Sequence, residues 1–430
     1  MITNRRRTAC VLLAVAAGLS GPSALANGFR LAGQDAFATG RGEAFVATAD
    51  NASAVYYNPA GLAQLDGSNL RAGGYGIYLD PTFRPPGGRS NSGTTYSVDD
   101  HYAVVPQLFY AYAPEDFPLC FGFGAYAPYG GDLSWPQDTG FRTVATKGSL
   151  TYLRMNPVVA LRLGDKLSVA GGLMVDYADI EMEGGLRRRI NPIFPEDFFR
   201  FQGNGWSVGY NVGLLWRPHE KVALGATFRS STPVTFEGDT DFERPTSTPP
   251  THRSAEMDLD FPLGAVVGVS FRPTAKWNLE FDVDYTDWSS YGRTTIHQPG
   301  APDGQESVVP RDVDLTFDWQ ESWMFGFGVT RYFDNGWHVS AGYLYSQNSV
   351  PDDYYSPLAA DLDRHFFSVG AGFRGKRFSF DVAYQFGYGP DHTVNGSAPS
   401  SLAGVINGQD ADGTYDFISH AVFLTVGMRF

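Results

Sequence analysis

Basic and aromatic side chains in mid-chain are the first residues whose types and spacing suggest chemistry. The stretch 187-RRRINPIFPEDFFRFQGNGW-206 sets the arginines at 187–189 beside five apolar side chains, Ile193, Phe194, Phe198, Phe199 and Phe201. Apolar rings are costly to expose unless they cover something apolar, and a basic run attracts anions. Together they predict an outer groove for a molecule with an apolar body and an acidic head. The plainer alternative is a loop that packs on its neighbours beside a solvated basic run.

The sequence gives little support to catalysis or cofactor binding. It lacks H-E-x-x-H, and its eight histidines are scattered. The match of 122-GFGAYA-127 to a dinucleotide fingerprint lies inside an apolar, strand-like run and opens no helix. The acidic spacing of 410-DADGTYD-416 would suit Ca²⁺, but its context differs from an EF-hand and favours a solvated turn. We therefore predict a protein that is not an enzyme and has no cofactor.

Period-2 alternation runs through much of the chain. In 277-WNLEFDVDY-285 every odd-numbered residue is apolar and every even-numbered residue is polar, and 206–216 and 378–388 alternate similarly. The last segment, 418–430, carries His420 on its apolar face and ends at Phe430. Strands of about ten residues that end in Trp, Tyr or Phe match tilted membrane-spanning strands. A soluble sandwich shows the same alternation, so alternation alone leaves both folds open.

The connections between these strands alternate in length. Short turns lie at 113–118, 163–166, 217–221, 272–276, 333–336 and 374–377. Long polar connections lie at about 81–99, 128–148, 182–204, 238–253, 289–320, 347–362 and 389–414. Six short and seven long connections join about 14 strands, an even number that is typical of bacterial outer-membrane barrels. We predict an all-β fold, an antiparallel transmembrane β-barrel with its turns in the periplasm and its loops outside.

Residues 1–26 predict a secretory signal. Arginines at 5–7 precede the apolar run 9–19 and the small-residue site 24-ALA-26, and the run is too short to span a bilayer. The mature chain then keeps one cysteine, Cys120, which cannot form an internal disulfide. It carries 29 Lys and Arg against 46 Asp and Glu, a net charge of −17. This charge argues against nucleic acid as a partner.

Alternation also predicts which charges face the lumen. Arg154 falls on the inward face of its strand, and Lys147 lies just before it. Either cation could pair with an anionic head group inside the barrel. The alternative for Arg154 is an ion pair with the barrel, for which Glu280, Asp282 and Asp284 are available.

Residues 27–66 precede the first strand and carry signals for short helices. Asp50 and Asn51 can cap one helix, and Asn58 followed by Pro59 forms the N-cap and N1 pair of another. A segment of about 40 residues, rich in Ala and Gly, lacks the bulk for its own core. A ring of about 14 strands leaves a lumen that side chains alone do not fill. We predict that residues 27–66 plug a barrel formed by residues 67–430.

The run 28-GFRLAGQDAFATGRGEAFVATADNASAVYYNPAGLAQL-65 resembles the N-terminal hatch of the FadL family of outer-membrane long-chain fatty acid transporters. It includes the family's Asn-Pro-Ala signature, at Asn58, Pro59 and Ala60. Similar motifs follow in order at 126-YAPYG-130, 156-NPVVALRL-163, 167-LSVAGGLMVDYADIE-181, 284-DYTDWS-289 and 363-DRHFFSVGAGF-373. The resemblance implies a monomeric 14-stranded barrel closed by the hatch, an external groove, an internal ligand site and a kinked third strand that opens the wall sideways.

The resemblance places this lateral gate at Ala127, Pro128, Tyr129 and Gly130. Proline cannot donate to a strand ladder and glycine weakens it, so the sequence also predicts a break here on physical grounds. The alternative is a strand end that enters a loop. The Asn-Pro-Ala residues would move when ligand binds, or would cap a static plug.

The implied activity is passive import of long-chain fatty acids or similar hydrophobic molecules, next to outer-membrane lipid and lipopolysaccharide. Relatives in the same family import aromatic hydrocarbons, and the motifs do not separate the two substrates. A general porin is the other alternative. It would have a wide polar lumen without a hatch, and the acidic face of 277–285 agrees with such a lumen.

Overall fold

The computed structural model describes residues 27–115, 117–186, 197–243, 251–300, 310–400, 402 and 408–430. Its strands form one antiparallel sheet. They are β1 Gly67–Arg84, β2 Tyr96–Ser97, β3 Tyr102–Ala113, β4 Leu119–Tyr126, β5 Gly130–Ser134, β6 Lys147–Leu163, β7 Leu167–Gly185, β8 Phe198–His219, β9 Val222–Arg229, β10 Thr232–Glu243, β11 Thr251–Phe261, β12 Gly264–Thr274, β13 Trp277–Thr286, β14 Arg293–His297, β15 Asp312–Thr316, β16 Ser322–Tyr332, β17 Trp337–Ser346, β18 Arg364–Arg374, β19 Phe378–Val394 and β20 Gly413–Arg429.

The sheet closes on itself to form a barrel. β20 pairs with β1 from Arg429 opposite Asn69 to Thr414 opposite Arg84. Three wall strands are interrupted, namely β4 with β5, β9 with β10, and β11 with β12, while β2, β14 and β15 lie in the long connections. The wall therefore has 14 strands, which confirms the prediction. Closure pairs the first wall strand with the last, so neither is left as a free sheet edge in the lipid.

All six predicted short turns join neighbouring wall strands. At the loop end the strands are longer than predicted, because β8 begins at Phe198 and β19 continues to Val394. Outside the membrane the outward side chains of these strands are polar, because they face water. In the sequence these polar residues resembled a loop, so the strands were predicted to end too early. Within the membrane band the outward side chains are apolar, and His420 lies on this face as predicted.

Residues 27–66, called the plug segment below, lie before β1 and are mostly buried. They form α1 (Ala36–Thr39), α2 (Ala54–Tyr57) and a 3₁₀ helix at Pro59–Gln64. The Asn58 side chain accepts from Ala60 N at 3.1 Å, as its predicted capping role requires. The predicted Asp50 and Asn51 cap is wrong, because α2 begins after Ser53. Asn51 instead accepts from the Ser53 amide at 2.8 Å in a local turn.

The interior has three apolar clusters. The largest fills the loop end with aromatic rings, a second packs the plug segment against the wall at the turn end, and a small third cluster surrounds Leu31. None of the described helices is long and apolar enough to cross a membrane. The predicted signal, residues 1–26, lies outside the described residues.

Candidate functional site

The third wall strand is broken between β4, which ends at Tyr126, and β5, which begins at Gly130. β3 pairs with β4 only over Leu108–Tyr112, so residues 102–107 have β1 on one side and no paired strand on the other in the described chain. Tyr102 and Val104 are 73% and 58% exposed there. Pro106 lies in this stretch, and proline suits a one-sided strand because it lacks a ladder donor.

The plug segment pairs with the third wall strand at residues 128–130, where β3 does not. Leu31 N donates to Pro128 O, and Gly130 N donates to Phe29 O, both at 2.9 Å. Arg30 and Tyr129 therefore face each other as an isolated antiparallel bridge. If the β3–β4 register continued, Pro128 would lie opposite Val105 of β3. Leu31 lies opposite Pro128 instead, so it takes the place of Val105.

Gln34 and Gln107 fasten the plug segment on both sides of the break. Gln34 Nε2 donates to Ala127 O at 2.7 Å, and Gln107 Nε2 donates to Gly33 O at 2.9 Å. The Leu31 side chain is 3% exposed and packs in one cluster with Ala103, Val105 and Ala127. Apolar side chains thus surround Leu31 at the break in the third wall strand.

Three lumen-facing carboxylates of β13 hold the plug segment on another side. Asp284 binds Arg30 with contacts of 2.5 and 2.6 Å. Asp282 accepts from the amides of Phe45 and Val46 at 2.7 and 2.8 Å. Glu280 accepts from the Ala47 amide at 2.7 Å and pairs with Arg41 at 3.2 Å. The acidic face that agreed with a porin lumen therefore binds the plug.

Further contacts anchor the plug segment to other strands. Asp35 pairs with Arg71 of β1, which also binds Asp381 of β19 at 2.6 Å. Asp50 pairs with Arg374 of β18 at 3.0 Å. Asp50 also lies 3.6 Å from Arg272 of β12, so ionic contacts to β1, β12, β13 and β18 leave this segment little freedom in the described state.

The Asn58-Pro59-Ala60 sequence lies against β8. Asn58 Nδ2 donates to Val46 O at 2.8 Å and to Leu214 O at 3.0 Å, so it joins the plug segment to the wall. At Gly213 a Cβ would lie 2.5 Å from Asn58 Oδ1, so only glycine allows this close approach. Movement of these residues on ligand binding stays a prediction.

The four predicted gate residues all face the lumen or the plug segment. The Ala127, Pro128 and Gly130 backbones bind the plug segment as described above. The Tyr129 ring packs edge-on against Tyr152 at 5.1 Å between centroids, and its hydroxyl donates to Pro262 O at 3.2 Å. Tyr129 thus connects the break to the aromatic cluster at the loop end.

Arg154 faces the lumen as the alternation predicted and is 2% exposed. Its Nε and Nη2 donate to both oxygens of Asp176 at 2.7 Å, and the Tyr152 hydroxyl donates to the same carboxylate. A barrel carboxylate therefore neutralises Arg154, but it is Asp176 and not one of the three β13 carboxylates. Lys147 lies on the outward face of β6, 3.1 Å from Glu181.

The aromatic residues predicted for an outer groove are only partly described. Phe199 and Phe201 are fully buried and face inward in the loop-end cluster. Phe198 is partly exposed and lies under the Arg200 guanidinium. Ile193 and Phe194 lie outside the described residues, as do the arginines at 187–189. The ligand roles of these residues stay predictions.

Arg364 is the main candidate that the sequence did not indicate. It is 1% exposed, lies 3.9 Å over the Phe417 ring and donates from Nη2 to Ala360 O at 2.8 Å. Within the described chain its Nε and Nη1 have no hydrogen-bond partner and it forms no ion pair. The Asp361 carboxylate acts on Arg364 without direct contact, and two buried guanidinium nitrogens without hydrogen bonds are costly, so an anionic ligand would satisfy them.

Two small cavities separate the loop-end cluster from the break. One, of about 30 Å³, is lined by Arg30, Tyr56 and Asp284 among others, and the second, of about 40 Å³, by Leu31 and Phe366. Glu43 lies on the wall of both. Each holds about one water molecule, so the described state has no open channel here.

Other residues with suggestive spacing have structural roles. The G-x-S-x-G spacing of 205–209 lies inside β8, not at a strand-to-helix turn, so Ser207 is no nucleophile elbow. In the acidic loop, Asp412 accepts from the amides of Gly396 and Ser397 at 3.0 and 2.8 Å. Asp416 binds Arg84 at 2.7 Å. Hydrogen-bond donors of the protein thus already bind the carboxylates of Asp412 and Asp416.

A closed antiparallel barrel of 14 strands, apolar outside and with its N-terminal segment buried against the inner wall, defines the class of outer-membrane β-barrel proteins. The chain belongs to the family described as outer membrane protein transport protein (OMPP1/FadL/TodX), whose model matches residues 17–430. This family carries fatty acids or other hydrophobic compounds across the outer membrane and is a family of transporters, not enzymes.

Similar proteins agree with this family. The long-chain fatty acid transport protein of Escherichia coli K12 is 24% identical and matches over 89% of this chain and 92% of its own. A Pseudomonas aeruginosa FadL homologue superposes with a TM-score of 0.80 at 18% identity, covering 94% of this chain and all of that one. The Pseudomonas putida toluene transporter TodX gives a TM-score of 0.68 at 14% identity, covering 94% and 99%. These structural likenesses establish the fold.

Proposed function

We propose that the chain imports long-chain fatty acids passively, through the loop-end lumen and out of the break in the barrel wall. The observation that carries this proposal is the break itself, which is apolar and filled by Leu31 of the plug segment. An acyl chain that leaves through it passes from an apolar interior to lipid without crossing water. No energy source is needed for this diffusion.

Arg364 supports an acid rather than a hydrocarbon as the substrate. Its two unbonded nitrogens lie among aromatic side chains at the loop end, where an acyl chain would also find apolar contacts. Toluene has no group that could satisfy them. The predicted groove residues Phe198, Phe199 and Phe201 then belong to the entrance of the same lumen.

Aromatic hydrocarbons are the second candidate substrate, favoured by the likeness to the toluene transporter TodX. A general porin is less well supported, since the plug segment leaves only cavities of about 30 and 40 Å³ beside the break. The whole proposed path lies within one barrel, so a monomer suffices, with the barrel's loop end beside lipopolysaccharide.

Uptake of labelled oleate and toluene by purified protein in vesicles tests the proposal, with a small sugar as the porin control. Arg30 and Tyr129 form a bridge without mutual hydrogen bonds, the pair type whose Cα atoms lie about 4.5 Å apart and suit a disulfide. We expect Arg30→Cys with Tyr129→Cys to stop oleate uptake when oxidised and to regain it after reduction. Undiminished uptake by the oxidised variant would disprove exit through the break.

A further inference from the structure

Glu43 lies between the loop-end lumen and the break. It belongs to the turn after α1, with a backbone φ of 61°, and lies on the wall of both small cavities. The larger cavity also touches Phe366, a member of the loop-end cluster, and Leu31, which closes the break. A ligand that moves from the lumen to the break through this cavity must pass the Glu43 carboxyl.

A chain of hydrogen bonds joins Glu43 to the gate. The Tyr57 hydroxyl donates to Glu43 Oε2 at 2.7 Å and accepts from Gln34 N at 3.0 Å. Gln34 in turn donates from its side chain to Ala127 O. A change of charge on Glu43 is therefore transmitted to the residue that fastens the plug segment at the break.

The surroundings of Glu43 favour its protonated form. Burial raises the pKa of Glu43 to about 8, and the charge of Asp35 adds to this rise, against hydrogen bonding by Tyr57 and the charge of Arg30. Arg30 is already paired with Asp284, and in the described chain no cation lies within ion-pair distance of Glu43. The charged and titratable groups that face Glu43 or its cavities are Arg30, Asp35, Tyr56, Tyr57, Tyr75, Arg229, Asp282 and Asp284.

The apolar surroundings of the break disfavour a charged head group. Apolar side chains line the break, among them Leu31, Ala103, Val105 and Ala127, and the nearby Gln34 and Gln107 amides already donate to backbone carbonyls. A carboxylic acid in water ionises near pH 4 to 5, roughly as a glutamate side chain does, so a fatty acid enters as an anion. An isolated carboxylate in apolar surroundings is strongly disfavoured, whereas the neutral acid is not.

We propose that Glu43 protonates the substrate's carboxylate before the head group crosses the break. The O–H bond of Glu43 breaks and an O–H bond forms on the substrate, which leaves as a neutral acid. The resulting Glu43 carboxylate accepts from Tyr57, lies beside Arg30, and regains a proton from water. The inference rests on the proposed function and narrows its substrates to carboxylic acids, since a hydrocarbon needs no proton.

The test compares uptake of oleate and of oleyl alcohol, its neutral counterpart, by wild-type and Glu43→Gln protein in vesicles. Glutamine keeps the size of glutamate and can accept from Tyr57, but it has no proton to give. We expect Glu43→Gln to slow oleate uptake roughly tenfold or more, within the usual range for loss of a general acid, and to leave oleyl alcohol uptake unchanged. Wild-type oleate uptake should fall as the pH rises above about 8, and the variant should lose this dependence.

Two control variants distinguish loss of the Glu43 proton from a structural change in the plug segment. Glu43→Asp keeps an acid and should retain part of the oleate uptake, whereas Asp50→Asn disturbs the other end of the plug segment and should affect both ligands alike. An equal loss of both ligands in Glu43→Gln, or unchanged oleate uptake, would overturn the inference. Failure of the wild-type protein to take up either ligand would instead overturn the proposed function, and this inference with it.

Infrared spectroscopy measures the protonation state of the Glu43 carboxyl directly. Wild-type protein at pH 7 should show a protonated-carboxyl band that Glu43→Gln lacks and that disappears near pH 8. A Glu43 already ionised at pH 7 would rule the inference out whatever the uptake results.

Discussion

The Leu31 amide donates to the Pro128 carbonyl at 2.9 Å, so a residue of the plug segment completes the pairing of the third wall strand. The same leucine fills the break with its side chain. The plug segment therefore both occupies the lumen and completes the pairing of the wall. We expect the wall to open when this short stretch leaves, while the contacts of Asp50 and Asn58 persist.

Truncation of Leu31 should open the break. We expect Leu31→Ala to speed uptake of hydrophobic ligand, because the cavity it leaves joins the lumen to the outer wall. Leu31→Trp should slow uptake by overfilling the site. Leu62→Ala is the matched control, since Leu62 is also fully buried in the plug segment but lies in the cluster at the turn end. Equal uptake by Leu31→Ala and Leu62→Ala would contradict the gate role of Leu31.

Loss of Arg364 should weaken binding of acids and spare hydrocarbons. A hydrogen bond to a charged group contributes about 1.5–3 kcal/mol, so Arg364→Leu should weaken oleate binding by roughly tenfold or more. Toluene binding should not change. Titration calorimetry of the detergent-solubilised protein measures both affinities, and equal oleate affinity in the two proteins would remove Arg364 from the site.

Arg154 provides the contrast to Arg364. Its charge is neutralised by Asp176, so Arg154→Leu leaves a buried carboxylate alone and should lower the free energy of unfolding by about 3–5 kcal/mol. Arg364→Leu removes a cation without a carboxylate partner and should not destabilise the barrel. Denaturant unfolding of the two variants distinguishes the structural arginine from the binding one.

The two-residue alternation in the sequence predicted which side chains face inward and which face outward. It could not predict contacts between residues that are distant in the chain. Alternation placed Arg154 inward and His420 outward, because a strand leaves a side chain only two directions. The partner of Arg154 could not be predicted, since Asp176 faces it only through the register of β6 against β7. Likewise, Pro128 and Gly130 indicated a break, but Leu31, which fills it, lies about a hundred residues earlier. The β13 carboxylates suggested a porin because nothing local shows that backbone amides meet them.

The β13 carboxylates should keep the barrel impermeable to sugars. The triple variant Glu280→Gln, Asp282→Asn, Asp284→Asn keeps the side-chain sizes but removes the charges that hold residues 45–48 and Arg30. We expect it to leak a small sugar from vesicles, whereas the wild type does not. Asp258→Asn with Asp260→Asn on the outward face of β11 is the control. A sugar-tight triple variant would mean that the other anchors hold the plug segment alone.

Attachment of the plug segment should depend on pH in two opposite ways. Burial acts to raise the pKa of Asp50, but the charges of Arg374 and Arg272 outweigh it and hold this pKa well below its usual value. Stabilisation by Asp50 is therefore present above pH 4 and is lost in acid. The pKa of Glu43 is raised to about 8 by burial, so its stabilisation is present below its ordinary value of 4.5 and is lost as the pH rises to about 8.

Hydrogen exchange of the plug-segment amides should thus be slowest near pH 4 to 5, after correction for the intrinsic rate, and faster on both sides. Glu43→Gln should reduce the decline on the alkaline side, and Asp50→Asn the decline on the acid side, because each removes one titrating group. A Glu43→Gln protein whose protection still declines between pH 5 and 8 would show that another group controls the plug segment there.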